Sequence, residues 1–257
     1  MAANPEVGLG TVREQVSAEE WQVRVDLAAL YRLVAMQGWD DLVFTHLSAR
    51  VPGPDHHFLL NPYGMMFEEV TASSLVKVDA DGNKVMNSPY DINPAGFTIH
   101  SAVHMAREDA MFVMHLHTDD GCAVSAQACG LLPITQHAMQ LGELAYHDYE
   151  GIALDHDERE RIIADLGTKQ FMLLRNHGTL TVGHNAESCY LAMYYLERAC
   201  TMQIKAMAGG TELNMAPQGS AAKAAQQSAI LFQGDIKGLA WEPLLRKLDR
   251  QDPSFRS

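Results

Sequence analysis

Cysteine is scarce in this 257-residue chain, and its four copies contain no C-x-x-C pair. They are Cys122, Cys129, Cys189 and Cys200. Two of them fall in apolar stretches with helical spacing, so we expect reduced core residues of a cytoplasmic protein and no disulfide framework. The first residues do not combine a basic start with an apolar core, so we expect no secretory signal.

Long apolar runs are also lacking, and basic residues are fewer than acidic ones. No run approaches the roughly 20 apolar residues that cross a bilayer. The chain has 19 Lys and Arg against 32 Asp and Glu, a formal net charge of −13. Nucleic acids and anionic membrane surfaces require a basic face, so we expect neither partner. A small anionic substrate stays possible, because a metal or an arginine can outweigh the global charge.

The order of short apolar stretches and helical periodicity predicts an α/β domain. Residues 1–17 are predicted to be a flexible N-terminal arm, residues 18–210 the domain, and residues 211–257 a C-terminal helical tail. The domain is expected to have a mostly antiparallel central sheet with helices on its faces. Strands are expected at 42–51, 57–60, 74–78, 171–174 and 179–182, and helices at 18–37, 94–107, 121–129, 155–166, 186–207, 221–231 and 241–248. The segment 139–149 is expected to be short and irregular.

The most informative motif is a pair of histidines, His115 and His117, at the end of a short apolar run. Residues i and i+2 of a strand point to the same face, so the two imidazoles should lie side by side. His177 follows a second apolar run, 171–174, which also predicts a buried strand. Three neutral imidazoles converging on one point make a divalent-metal site that leaves positions open for substrate. A histidine pair alone is more often a core or surface feature, and the third histidine favours the metal site.

Five separated motifs resemble the class II aldolase/adducin family. They are Thr45–Arg50, Ile92–Ala102, Phe112–Thr118, Gly142–Tyr149 and Leu173–Gly178. The second and fourth are especially similar to the adducin head domain and its bacterial relatives. The resemblance implies a three-layer α/β/α sandwich that assembles as a homotetramer with sites at subunit interfaces. It also implies that His115, His117 and His177 hold a divalent metal, zinc first and manganese or iron as alternatives.

One segment departs from the family's aldolases. Those enzymes carry Ser-Ser-Glu, in which the serines bind substrate phosphate and the glutamate transfers protons. The corresponding segment here is Pro94-Ala95-Gly96, which ends 19 residues before His115. The resemblance therefore implies that phosphate recognition and the carboxylate are lost. Gly96 is predicted to open space beside the metal for a larger or aromatic substrate.

Other residues are candidates for substrate binding or proton transfer. His46 and Ser48 fall in the loop that contacts phosphate in the aldolases, although His46 could also be an ordinary loop residue. Arg50 could bind a substrate carboxylate through two hydrogen bonds, or form a surface ion pair. By resemblance, His137 stands where the aldolases have a tyrosine acid and could transfer protons. Glu143 is the second catalytic candidate, with a role in holding its loop as the alternative.

These residues predict a metal-dependent carbon–carbon lyase for a small, non-phosphorylated carbonyl compound or hydroxy acid, aromatic ones included. Decarboxylation is favoured over aldol cleavage because it needs only an electron sink and one proton donor. A non-catalytic, oligomerising scaffold like the adducin head is the alternative. A non-haem iron oxygenase is a third hypothesis. It normally needs a carboxylate ligand, and Glu143 and Asp119 are the nearest by sequence.

Overall fold

A sheet of seven strands lies at the centre of the domain, with helices on both faces. The computed structural model describes residues 11–151, 158–233 and 238–257. The strands are β1 (His46–Arg50), β2 (Phe58–Leu60), β3 (Val76–Val78), β4 (Phe112–Leu116), β5 (Ala145–His147), β6 (Phe171–Leu174) and β7 (Gly178–Gly183). Their order is β3-β2-β1-β4-β7-β6-β5, and every neighbouring pair is antiparallel except the parallel pair β5–β6. The predicted α/β/α sandwich with a mostly antiparallel sheet is confirmed.

Helices form the two outer layers. They are α1 (Val12–Gln15), α2 (Ala18–Gln37), α3 (Pro94–Ala106), α4 (Asp119–Ser125), α5 (Gln136–Leu141), α6 (Glu158–Leu166), α7 (Ala186–Ala208), α8 (Ser220–Phe232) and α9 (Trp241–Gln251). The predicted end of α2 is confirmed, since Gly38 closes it in the left-handed conformation with φ 67°. Across the described ranges, no helix combines the length and the apolar character that crossing a bilayer requires.

Alternation along β1 and β4 determines which of their side chains point towards α3 and which towards α2. Leu47 and Met114 belong to the core beneath α2, whereas Val113 packs beneath α3 and α6. Neighbouring residues of a strand point to opposite faces. His46 and His115 therefore point towards the α3 side, and they are direct partners in the β1–β4 ladder.

Four segments differ from the sequence prediction. The segment expected to be a flexible arm contains the short helix α1, and the helix expected at 121–129 spans Asp119–Ser125. The strand expected from residue 42 begins only at His46, because Leu42 and Thr45 adopt positive φ values of 53° and 63° and fold the chain back. The segment 139–149, expected to be irregular, contains the end of α5 and the strand β5. Only tertiary contacts identify β5, because it is three residues long and pairs along β6. Residues 1–10 of the expected arm and 155–157 of the expected helix lie outside the described residues.

The helices expected in the tail are present and pack on this same chain. Phe232 of α8 stacks edge-on against Phe171 of β6, with ring centroids 5.2 Å apart. Trp241, Leu248 and Phe255 join the core cluster beneath α2. The last residues therefore complete the hydrophobic core of the domain that carries the sheet.

Candidate metal centre

Three imidazoles meet where β4 ends and β7 begins. The Nε2 atoms of His115 and His117 lie 3.0 Å apart. The ring of His177 has its centroid 4.7 Å from that of His115 and 4.8 Å from that of His117. One ligand nitrogen from each residue lies within 4.8 Å of the other two. The predicted side-by-side placement of His115 and His117 is confirmed, and the fold brings His177 to the same point.

Local backbone geometry brings His177 to the pair. The turn between β6 and β7 places Asn176 in the left-handed region at φ 57°, which asparagine tolerates better than most residues. The backbone N–H of His177 donates to the carbonyl of Leu174 at 3.1 Å and closes the turn. A Cβ on Gly178 would overlap the carbonyl oxygen of Leu116, so glycine allows the two strands to approach here.

Hydrogen bonds to the outer ring nitrogens orient two of the imidazoles. Nδ1–H of His115 donates to the backbone oxygen of Thr179 at 2.9 Å. Nδ1–H of His117 donates to the carboxylate of Asp41 at 3.1 Å. Both bonds leave Nε2 free to act as a ligand, which is the usual arrangement around metal-binding histidines.

Burial keeps the imidazoles of His115 and His177 neutral. It lowers the pKa of His115 well below the usual range, and the neighbouring rings of His177 and His117 reinforce the effect. Burial also lowers the pKa of His177 to about 4. Neutral imidazole is the form that binds a metal, so the donor set fits a borderline divalent ion such as zinc.

The three histidines line a cavity of about 310 Å³. Its lining consists of Asp41, Phe44, Thr45, His46, Asn93, Ile99, His115, His117, Tyr149, Gly151 and His177. Neither lysine nor arginine occurs among these described lining residues. Phe44 and Tyr149 are 44% and 55% exposed, so aromatic side chains form part of the cavity's mouth.

His46 is the substrate-binding candidate that the structure brings to this cavity. Its ring centroid lies 6.1 Å from that of His115. Burial, followed by repulsion from His117 and His177, lowers the pKa of His46 to about 3. A Cβ at position 96 would overlap this ring. The prediction that Gly96 opens space for a larger substrate is therefore wrong, because the imidazole of His46 fills that space.

Ser48 and Arg50 follow His46 on β1 but are not brought to the cavity. Ser48 Oγ lies 2.6 Å from Nδ1 of His100 and 2.7 Å from Nε2 of His104. Arg50 is held against the backbone oxygens of His104 and Arg107. The alternation of β1 points both side chains to the correct face, but helix α3 covers them there.

The two catalytic candidates also lie outside the cavity lining within one chain. His137, on α5, packs against Tyr195 with ring centroids 5.0 Å apart. Glu143 is exposed between α5 and β5. Asp119, considered as an iron ligand, is exposed in the first turn of α4. The cluster in the described part of the chain consists of the three histidines.

Several residues around the centre escaped the sequence analysis. Asp41 and Phe44 line the cavity although neither lies in a motif, and Asn93 lines it within the motif Ile92–Ala102 without having been named as a site residue. His100 and His104 had one usable signal, their spacing of four residues on a helix, which places them on one face.

A mixed seven-stranded sheet with a histidine triad at an open cavity defines a class of α/β/α domains with a candidate metal centre. The family model "Class II Aldolase and Adducin N-terminal domain" matches residues 25–204. This chain belongs to that family, as the resemblance of the five motifs implied.

Two solved structures support this assignment. An aldolase II superfamily protein from Pseudomonas syringae is 51% identical with a TM-score of 0.92, over 96% of this chain and 100% of that one. L-fuculose 1-phosphate aldolase from Glaciozyma antarctica is 28% identical with a TM-score of 0.81, over 97% of this chain and 96% of that one. Alpha-adducin from Rattus norvegicus is 46% identical over 195 residues, which are 74% of this chain and 26% of that protein. The family thus joins named aldolases and adducins.

Proposed function

We propose that this protein is a metal-dependent carbon–carbon lyase for a small, non-phosphorylated carbonyl compound or hydroxy acid. The observation that carries the proposal is the convergence of three imidazoles in an open cavity. A family that contains a named sugar-phosphate aldolase supports the reaction class. Of the two lyase reactions, decarboxylation is favoured over aldol cleavage.

The donor set determines where the metal would bind. His115, His117 and His177 would hold one divalent ion, zinc first, which would polarise a substrate carbonyl or carboxylate oxygen. Asp41 and the backbone oxygen of Thr179 keep the two outer nitrogens protonated, so that the inner nitrogens stay available. Orientation of this kind comes from the chain itself and precedes binding.

The lining of the cavity favours a substrate without phosphate. No lysine or arginine lies in the described lining to pair with a phosphate group. The aromatic rings of Phe44 and Tyr149 offer contact to an apolar or aromatic portion of the substrate instead. Oxygen atoms of the substrate would then bind at the metal, with the apolar part towards the mouth.

His46 is the residue best placed to move a proton within one chain. It lines the cavity next to His115 and fills the space above Gly96, where the family's aldolases have a carboxylate. This imidazole could accept a proton from a substrate hydroxyl, and the imidazolium formed could return that proton to a carbanion. His137 and Glu143 remain candidates only in the proposed cytoplasmic homotetramer, where a neighbouring subunit would have to bring them to a cavity.

Metal content tests the proposal first. The protein is purified without a histidine tag or chelator, and its metals are measured by mass spectrometry. We expect about one equivalent per chain, lost in His115→Ala and retained in the exposed control His184→Ala. The loaded protein is then offered 2-oxo and hydroxy acids, with release of carbon dioxide and of aldehyde measured separately.

The scaffold alternative is tested by the same measurement. Its support is the 46% identity to alpha-adducin. Mixed, substoichiometric metal that does not change in His115→Ala would contradict the lyase proposal and favour a scaffold. Stoichiometric iron with substrate-dependent oxygen uptake would favour an oxygenase, although the described histidine cluster includes no carboxylate.

A further inference from the structure

One buried carboxylate connects the two segments that carry the histidines. Glu197, on α7, is 2% exposed. Thr118 Oγ1 donates to one of its oxygens, and Thr179 Oγ1 donates to the other at 2.6 Å. No lysine or arginine forms an ion pair with Glu197 in the part of the chain that the structure describes. A carboxylate buried without a cation costs stability, and the two hydroxyls offset only part of that cost.

Thr118 connects Glu197 to the chain at His117. It follows His117 directly and is the N-cap of α4, where its Oγ1 accepts the backbone N–H of Gly121 at 3.1 Å. Because that oxygen also donates to Glu197, its hydroxyl rotation is fixed. The start of α4 and the chain at His117 are thereby held relative to α7.

Thr179 connects Glu197 to His115 and to the chain at His177 in the same way. Its backbone oxygen accepts Nδ1–H of His115 at 2.9 Å, and the residue lies two positions after His177. Its side chain is fixed by Glu197, so the carbonyl that orients His115 is anchored from the opposite side of the strand. All three histidines are therefore adjacent to a segment that Glu197 binds.

Close packing shows how little freedom this arrangement leaves. A Cβ on Gly121 would lie 2.6 Å from Thr118 Oγ1, 2.9 Å from Thr179 Cγ2 and 3.1 Å from Glu197 Oε1. Only glycine, which has no side chain, therefore fits at position 121 of α4, against the carboxylate of Glu197. The three groups form one compact unit directly behind the histidines.

We infer that Glu197 is a positioning residue of the metal centre, which sets metal affinity by fixing Thr118 and Thr179 and, through them, the ligand imidazoles. This inference rests on the proposed metal-dependent function. It predicts that loss of Glu197 weakens metal binding without removing a ligand. Partners outside the ligand shell typically contribute about 10- to 100-fold in metal affinity.

The test compares dissociation constants for Zn²⁺, measured by competition with a chromophoric chelator, and the absorption spectra of the Co²⁺-loaded proteins. We expect Glu197→Ala and Thr179→Val to raise the dissociation constant at least about tenfold and to alter the cobalt bands, which report ligand geometry. Glu197→Gln keeps the shape and two hydrogen-bonding atoms, so it should retain more affinity than Glu197→Ala.

Glu187→Ala is the matched control. Glu187 lies on the same helix, is 6% exposed, and accepts backbone N–H groups of Gly238, Ala240 and Trp241, away from the histidines. This variant should lose thermal stability while keeping the wild-type dissociation constant and cobalt spectrum.

Two outcomes would overturn the inference. Wild-type affinity in both Glu197→Ala and Thr179→Val would show that the carboxylate does not position the ligands. An equal loss in Glu187→Ala would show a general effect of stability. If Glu197→Ala does not fold, Thr179→Val decides by the same criteria. A wild-type protein that binds no Zn²⁺, or one whose affinity is unchanged in His115→Ala, would instead refute the proposed function on which the inference rests.

Discussion

The imidazole of His46 occupies the space in which the side chain of any larger residue at position 96 would begin. Gly96 lies in the first turn of α3, and His46 begins the neighbouring strand β1. A glycine at this position therefore does not widen the cavity. It allows the imidazole of His46 to lie beside the candidate metal centre.

This contact predicts strong coupling between positions 46 and 96. Gly96→Ala should lower the free energy of unfolding by about 1 to 3 kcal/mol, because overpacking displaces the buried ring. In a His46→Ala background the same change should be neutral or stabilising, since alanine favours helix over glycine by about 1 kcal/mol. Urea unfolding of the four proteins gives the coupling energy. Additive effects would show that the two residues do not compete for this space.

Asp41 should tune the affinity of the centre without supporting the fold. Its side chain is 45% exposed, and its carboxylate accepts Nδ1–H of His117. Asp41→Asn keeps the shape but weakens this bond, so we expect roughly tenfold weaker Zn²⁺ binding at unchanged thermal stability. Asp40→Asn, at the adjacent position, is the control and should bind as wild type. Equal affinities for the two variants would contradict a role for Asp41.

Ser48 should matter for stability more than an ordinary buried serine. Nδ1–H of His104 donates to the carbonyl of Ala110 at 2.7 Å, so Nε2 of His104 accepts the Ser48 hydroxyl and Nδ1–H of His100 donates to it. Ser48→Ala leaves two buried nitrogens unpaired and should cost about 2 to 5 kcal/mol.

Ser228→Ala provides the comparison for this experiment. The Ser228 hydroxyl is also buried, but its hydrogen-bond acceptors are backbone carbonyls: Oγ lies 2.8 Å from those of Ala224, on α8, and of Gln140. Its removal should cost about 1 kcal/mol. A Ser48→Ala variant as stable as Ser228→Ala in denaturant unfolding would show that the hydroxyl between the two histidines contributes little.

The metal-free protein should be labile in mild acid. Burial lowers the pKa of His46 and His104 to about 3 and that of His177 to about 4. In the unfolded chain these groups titrate near a pKa of about 6.5. Between these values the unfolded state binds more protons, so the free energy of unfolding falls as pH decreases below about 6.5.

Urea unfolding at pH 7.5 and at pH 5 measures this dependence. We expect a clear decrease at pH 5 in the wild type, a smaller decrease in His46→Gln, and an unchanged decrease in the exposed control His184→Gln. The same free energy at both pH values would mean that the buried imidazoles titrate normally in the folded protein.

Much of the centre was predictable because it depends on local periodicity. The spacing of His115 and His117 placed both on one face of a strand, and the apolar run before His177 placed the third at a strand end. The helix α2 and its glycine cap were predictable for the same reason. In the structure, alternation along β1 also places His46 and Ser48 on one face of the sheet.

The sequence by itself determined most of the helices and strands and the three histidines, because these follow from intervals of a few residues. Only the tertiary structure decided that Asp41 binds His117, that His46 fills the space above Gly96, and that Glu197 joins Thr118 to Thr179. Those contacts join elements far apart in the chain, and their distances depend on how strands and helices pack. Packing also placed α3 over Ser48 and Arg50 and left His137 and Glu143 outside the cavity.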